Sequence, residues 1–545
     1  MAILILEPDV NSRARASIEL CAARYAENGR PLMGVHHEID MPLLLNPRED
    51  PLPCHEPVEE TTAVSAHVSA QLHALYEQLA AYYARSGASL AEAQGETEAQ
   101  AEAGSQAEAG SQAEAETQAE AETQAKLAPI DDDKGVRIEI RFGFQSFDIY
   151  PYCHHLIYHA RRLTLQSPNT LPALPFVRQL RIVQNYSRGQ LDYYDFSSVR
   201  PVSLRVPLEC LVRLPGVVEI DCPWLWERLP VAHAGRPWRH FTRVWEGPWR
   251  DARHEFGAAL EKQEELLAGL RIPATLTKAR LWFWKPRIDI EDDQALPMPD
   301  LVAPAQQDPV SVGLCTLAAQ LQELNLRAFI TEHLFPVPNA PSLAQWSRMR
   351  RLTIEFHPLR PDGSWYFVGP RGEDPHPAGF AISEQDHYPP VQTTVEDEEV
   401  DEQWDQDPQG GEEVDYFQDL FRTEPLPERI EPLLAGFASA LKNMCVIEEA
   451  ELFAYLEWLP SDSRADEYGD QAPHGDDTGS YRWGVRYRAG GNGDDQGQQC
   501  HQEAVVQWQV SDWRPSQSVL DLFEDLGRQE WLDFEYESDR QNRFA

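Results

Sequence analysis

Cys153, His154, His155 and His159 form a Cys-His-His-x-x-x-His cluster. On a helix, residues four apart share a face, so His155 and His159 would offer two imidazoles to one cation, with Cys153 near them. No acid sits between the two histidines to act as a general base, as one does in His-Glu-x-x-His. The flanking Phe147, Tyr150, Tyr152, Leu156, Ile157 and Tyr158 favour packing over coordination. No metal, cofactor or catalytic residue is therefore expected. A metal-dependent enzyme built on Cys153, His155 and His159 stands only as an alternative.

A second constellation spans Arg236 to His254, where Arg236, Trp238, Arg239, Arg243, Trp245, Trp249 and Arg250 interleave guanidinium and indole. Arginine and tryptophan dominate binding hot spots, and guanidinium planes stack on aromatic faces. These seven residues are the candidate partner-binding patch. The plainer alternative pairs each arginine with a local acid and lays its stem over a tryptophan. Gly490-x-x-Gly493-x-x-x-Gly497 lacks Gly-Lys-Ser/Thr and carries Asp494 and Asp495, which would repel phosphate.

The charge balance narrows the partners. The 545 residues carry 47 Lys and Arg against 89 Asp and Glu, a formal net charge of −42. That field repels phosphate backbones, so nucleic acid is excluded and basic proteins are favoured. Eight cysteines are scattered with no Cys-x-x-Cys pair, which reads as reduced thiols and not a disulfide framework. No apolar run is long enough for a membrane helix, so no membrane is expected and a cytoplasmic or nuclear location follows.

The elements that must position these groups fall into three stretches. Residues 1–90 are an N-terminal segment, partly helical, with helices expected over Ala14–Glu27 and Ala63–Arg85. Residues 91–130 are a disordered Ala/Glu/Gln-rich linker, with AEAGSQ and AEAETQ units from Ala101 to Gln124 that hold no branched aliphatic or aromatic residue. Residues 131–545 form an αβ domain, opened by the alternating strand Val136–Phe142 and interrupted by solvated acidic insertions at 384–415 and 461–480. Eleven acids lie between Glu396 and Asp415. Strands are also expected over Tyr481–Arg488 and Ala504–Val510, flanking the Gly490-Gly491-Asn492-Gly493 turn.

Within this domain the pattern apolar-x-x-apolar-x-apolar recurs six times. It occurs at Val177/Leu180/Ile182, Val217/Ile220/Cys222, Leu276/Ala279/Leu281, Leu321/Leu324/Leu326, Met349/Leu352/Ile354 and Ile447/Ala450/Leu452. It is the strand segment of a leucine-rich repeat. Amphipathic helices at Phe256–Leu270, Val312–Leu321 and Ile430–Met444 precede three of the units. The spacing between units is uneven, and the asparagine that normally follows the strand occurs once, at Asn185. The fold class expected is α/β, an irregular leucine-rich-repeat-like solenoid of helix-strand units with long acidic insertions.

Several blocks resemble a group of filamentous-fungal F-box-type proteins. They are PDGSWYFVGPRGEDP (Pro361–Pro375), DLFRTEPLPERIEPLLAGFASAL (Asp419–Leu441), EEAELFAYLEW (Glu448–Trp458), YRWGVRY (Tyr481–Tyr487) and WQVSDWRPSQSVLDLFEDLG (Trp508–Gly527), with GPWRDARHEFGAAL (Gly247–Leu260) fitting the same group. The resemblance implies a leucine-rich-repeat-like C-terminal fold. Relatives often carry an N-terminal F-box that docks on a cullin ligase adaptor, but residues 1–60 hold no Leu-Pro-x-Glu helix start. The expected function is a non-enzymatic protein-interaction scaffold. The alternative is a cullin-ligase substrate receptor with a diverged or missing F-box.

Overall fold

In a computed structural model, described residues are 9–27, 32–41, 56–102, 135–143, 161–184, 200–223, 225, 227, 245–261, 271–284, 293–336, 345–392, 394, 395, 398, 399, 402, 419–468, 480–490 and 503–532. Cys153, His154, His155, His159, Arg236, Trp238, Arg239, Arg243 and Asp494 lie outside them, as does most of the 91–130 linker.

Among the described residues the chain is mixed α/β, with a large and mostly parallel sheet. The strands are β1 (Gly34–Ile39), β2 (Val136–Phe142), β3 (Val177–Gln184), β4 (Glu219–Cys222), β5 (Lys278–Trp282), β6 (Glu323–Ala328), β7 (Arg351–Phe356), β8 (Phe367–Val368), β9 (Glu424–Pro425), β10 (Glu449–Glu457), β11 (Ser480–Arg488), β12 (Val505–Gln509) and β13 (Arg528–Trp531). The helices are α1 (Val10–Glu27), α2 (Val58–Glu102), α3 (Arg205–Leu211), α4 (Glu246–Glu261), α5 (Pro309–Ala318), α6 (Pro427–Asn443), α7 (Asp462–Tyr468) and α8 (Gln517–Glu524). Eleven strands form one sheet in chain order, β1 to β7 and then β10 to β13, while β8 and β9 make a separate pair. In the large sheet β1 to β7 and β10 run parallel, β11 reverses, and β12 and β13 resume the first direction.

The six apolar-x-x-apolar-x-apolar units lie side by side in β3, β4, β5, β6, β7 and β10. Their middle residues form one cross-strand line, Leu180, Ile220, Ala279, Leu324, Leu352 and Ala450. The leading residues Val177, Val217, Leu276, Leu321, Met349 and Ile447 are all buried just before their strands or at their start. Side chains alternate across a strand, so the six units present one apolar face of the sheet to the core. Helix residues such as Phe256 and Leu260 of α4, Leu314 of α5 and Leu433 and Phe437 of α6 fall in the same continuous core. No described helix is long and apolar enough to cross a membrane.

Two sequence expectations change here. The N-terminal segment is wired into the sheet: β1 pairs in register with β2, and Ile18, Val68, Leu72 and Tyr76 belong to the main core. The Tyr76 hydroxyl donates to the Cys210 carbonyl at 3.1 Å. Residues 91–102, placed in a disordered linker, continue α2 to Glu102, as a run of alanine, glutamate and glutamine favours.

The insertions differ as well. In 384–415, expected as solvated, Tyr388 lies against Gly247 of α4, and its hydroxyl donates to Asp251 at 2.6 Å. In 461–480, residues Asp462–Tyr468 form α7, where Arg464 donates to Asp419 at 2.6 Å and pairs with Glu373. The described cysteines are free thiols. Burial pushes Cys210 up to about 12 and Cys315 up to about 11, so neither is a ready thiolate.

Candidate functional site

Of the seven residues of the expected Arg/Trp patch, Trp245, Trp249 and Arg250 are among the described residues. Trp245 and Trp249 are buried, at 5% and 3% exposure. Trp249 sits in a second apolar cluster with Met298, Leu301, Phe329, Leu359 and Trp365, and its indole N–H donates to Glu227 at 3.1 Å. Arg250 donates to Asp251 at 3.1 Å and to the Tyr388 hydroxyl at 2.7 Å. Arg253, in the same stretch, is wholly buried and bonds Glu227, Asp308 and the Phe329 carbonyl. Trp249 and Arg253 lie on one helix and carry their polar tips into an interior charge cluster. The sequence pattern is the same for an interior cluster and an outward patch.

The sheet face opposite the helices is the candidate site. It is built from the x positions of the same six units, which point away from the core. Two cross-strand rows cover it. The first row runs Arg137, Gln179, Glu219, Lys278, Glu323, Arg351, Glu449, Arg488, Val505 and Arg528. The second runs His36, Glu139, Arg181, Asp221, Arg280, Asn325, Thr353, Glu451, Arg486, Gln507 and Glu530. In these rows β4 carries two acids, β5 two bases, β6 one acid, β7 one base, β10 two acids and β11 two bases. The sign alternates strand by strand.

Neighbouring strands lie about 4.8 Å apart, so opposite charges in adjacent strands pair directly. Lys278 meets Glu323 at 3.2 Å, and Arg351 meets the same carboxylate at 3.7 Å. Asp221 takes Arg280 at 2.6 Å and Arg181 at 3.4 Å. Arg486 meets Glu451 at 2.7 Å and also pairs with Glu449, which Arg488 reaches at 3.5 Å. Glu139, with its side chain only 5% exposed, is ringed by Arg137, Arg141, Arg181 and His36. Burial raises the Glu139 pKa, but the Arg141 hydrogen bond and the nearby positive charges outweigh it and leave it below the ordinary value. The Asp221 hydrogen bond holds the Arg280 proton more firmly than usual.

Aromatic groups extend this face toward the carboxyl ends of the strands. Trp282 lies with the Arg280 guanidinium 5.1 Å and the Arg327 guanidinium 4.4 Å from its ring, and its N–H donates to Asn325 at 2.7 Å. Arg482 lies 4.0 Å from the Phe453 ring. Beyond Trp282, Trp284 packs against the second apolar cluster. The first charged row is the open part of the face, while in the second row Glu139 and Asp221 are buried beneath their arginine partners. In the first row the Lys278, Arg351 and Arg488 side chains are well exposed, at 44%, 62% and 50%.

The signal for this site lay in the sequence between the apolar positions. Glu219/Asp221, Lys278/Arg280, Glu323, Arg351 and Glu449/Glu451 alternate in sign from one unit to the next, and that order acquires meaning only when the units are adjacent. Among the described residues no group of three or more His, Cys, Asp or Glu is arranged to hold a metal. No family model, curated protein or solved structure matches the chain.

Proposed function

We propose that the chain is a non-enzymatic protein-binding scaffold, a degenerate leucine-rich-repeat-like solenoid that engages its partner through the charged face of the sheet. The observation that carries this is the strand-by-strand alternation of charge across the two rows. An array of this kind supplies many fixed, pre-paired donors and acceptors on rigid strands, which suits recognition of a matched protein surface. The register of the six units and the sequential strand order support the solenoid reading.

The face is electrically balanced although the chain carries −42. A partner held there is selected by its pattern of charge, while the acidity of the whole chain sets which proteins approach. Affinity capture with the full chain and with Lys278→Glu/Arg280→Glu tests this. The wild type should retain proteins that the double variant loses. Equal recovery by both would remove the face from the function. Recovery of cullin and adaptor subunits would assign the scaffold to a ubiquitin ligase as its substrate receptor.

A further inference from the structure

The alternation of sign that pairs neighbouring strands also makes the charged face antisymmetric about its midline. About a line between β6 and β7, β6 (one acid) faces β7 (one base), β5 (two bases) faces β10 (two acids), and β4 (two acids) faces β11 (two bases). The pattern is antisymmetric in sign and equal in magnitude over six strands. A two-fold axis along that line keeps the strand direction and reverses the strand order. It therefore lays each strand of one copy over its opposite in a second copy.

We propose that the occupant of this face is a second copy of the same chain, docked face to face about a two-fold axis between β6 and β7; this rests on the reading of the face as a protein-binding surface. Isologous interfaces need a surface complementary to itself, and an antisymmetric charge pattern is one. In the first row Glu323 meets the partner's Arg351, Lys278 meets the partner's Glu449, and Glu219 meets the partner's Arg488. In the second row Arg280 meets the partner's Glu451, with Asn325 and Thr353 at the centre, while Asp221 stays buried beneath Arg280 and Arg181 of its own sheet. The complementarity ends beyond these six strands. Arg137 would meet the partner's Arg528, and Glu139 the partner's Glu530, so the contact is confined to the middle of the sheet. Strand twist separates the outer strands in the same way.

The contact covers about 24 Å across six strands and two rows along them, which is below the roughly 800 Å² per partner of a standard interface. The association is accordingly weak. Its salt dependence has two parts. Two chains of −42 repel over long distances, and that repulsion is screened near 0.15 M salt, where the Debye length is about 8 Å. The short pairs persist at that salt and weaken near 1 M. Association is therefore strongest at intermediate salt.

Sedimentation equilibrium on the full chain, from about 5 to 500 µM at 0.15 M salt, tests the proposal. Lys278→Glu and Glu449→Lys each create two like-charge contacts in a symmetric dimer, so each alone should weaken self-association about tenfold or more. An equimolar mixture of the two variants should recover it, because in the mixed dimer both contacts pair Glu with Lys. Residues 278 and 449 sit three strands apart in one chain, so nothing within a single copy produces that recovery, and recovery also shows that both variants are folded. A wild type that stays monomeric to 500 µM overturns the proposal. So do variants that associate like wild type, or a mixture that does not recover. If the wild type is monomeric but Lys278→Glu/Arg280→Glu still loses a captured protein, the second copy is wrong and the protein-binding face stands.

Discussion

Arg253 offers the sharpest test of how the helix layer is fixed to the sheet. Its guanidinium is wholly buried between two acids, Glu227 and Asp308, whose side chains are equally buried. It donates to Asp308 at 2.7 Å and to the Phe329 carbonyl at 3.0 Å, and it also pairs with Glu227. Asp308 in turn caps α5, accepting from the Ser311 N–H at 2.9 Å. Among the described residues, removing the cation leaves the Glu227 carboxylate with the Trp249 N–H and the charge of Arg162 nearby, and the Asp308 carboxylate with the Ser311 donors. Breaking a buried pair from one side costs about 3–5 kcal/mol, because a charge stays buried without compensation. With an unfolding entropy of about 2.1 cal/mol/K per residue over the roughly 350 described residues, that is a fall of roughly 4–7 °C in Tm. Arg253→Ala and Arg253→Met separate the causes. Methionine refills most of the space, so a cavity effect would largely vanish with it, whereas orphaned acids cost the same in both. Calorimetry and urea titration by tryptophan fluorescence should show both variants down by about 3 kcal/mol or more. An Arg253→Met protein within about 1 kcal/mol of wild type would refute the reasoning.

Other outcomes follow from the same geometry. Gly257→Ala places a methyl 2.3 Å from the Pro309 carbonyl oxygen where α4 crosses α5, and should cost about 3 kcal/mol by the same titration. Tyr76→Phe removes the bond to Cys210 and should cost about 1 kcal/mol; no loss would mean that α2 is held by packing alone. Burial, helped by the Arg13 charge, holds His37 down to about 4 from 6.5. The unfolded chain then binds the extra proton first, so stability is full above pH 6.5 and falls by up to roughly 3 kcal/mol as pH drops toward 4. His37→Gln should flatten that part of the pH–stability curve, and an unchanged slope would clear His37 of the effect.

The legible parts of the sequence were those where burial alone decides the residue. The six apolar units sit on the core side of adjacent strands, and their spacing carried that directly. β1 was not legible because a buried histidine, His37, stands at the middle inward position of Gly34–Ile39 and breaks the apolar alternation. The Arg/Trp stretch was read outward because arginine and tryptophan serve interfaces and interior charge clusters alike. Only the acids brought from distant segments, Glu227 and Asp308, decide between the two. The charged face was written in the x positions, but a sign that alternates between units is no pattern until the units are neighbours.

The agreement between chain order and strand order has a consequence for how the molecule is made and undone. Each later strand of the eleven-stranded sheet, leaving the ribosome, finds the edge it pairs with already in place, so assembly of that sheet can keep pace with synthesis without waiting for a distant segment. The same arrangement sets the mechanical response. Each strand is held laterally by two neighbours at most, so a chain stretched from its termini should yield from the outermost strands inward in a series of small steps. The β6–β7 pair at the centre would be the last to part.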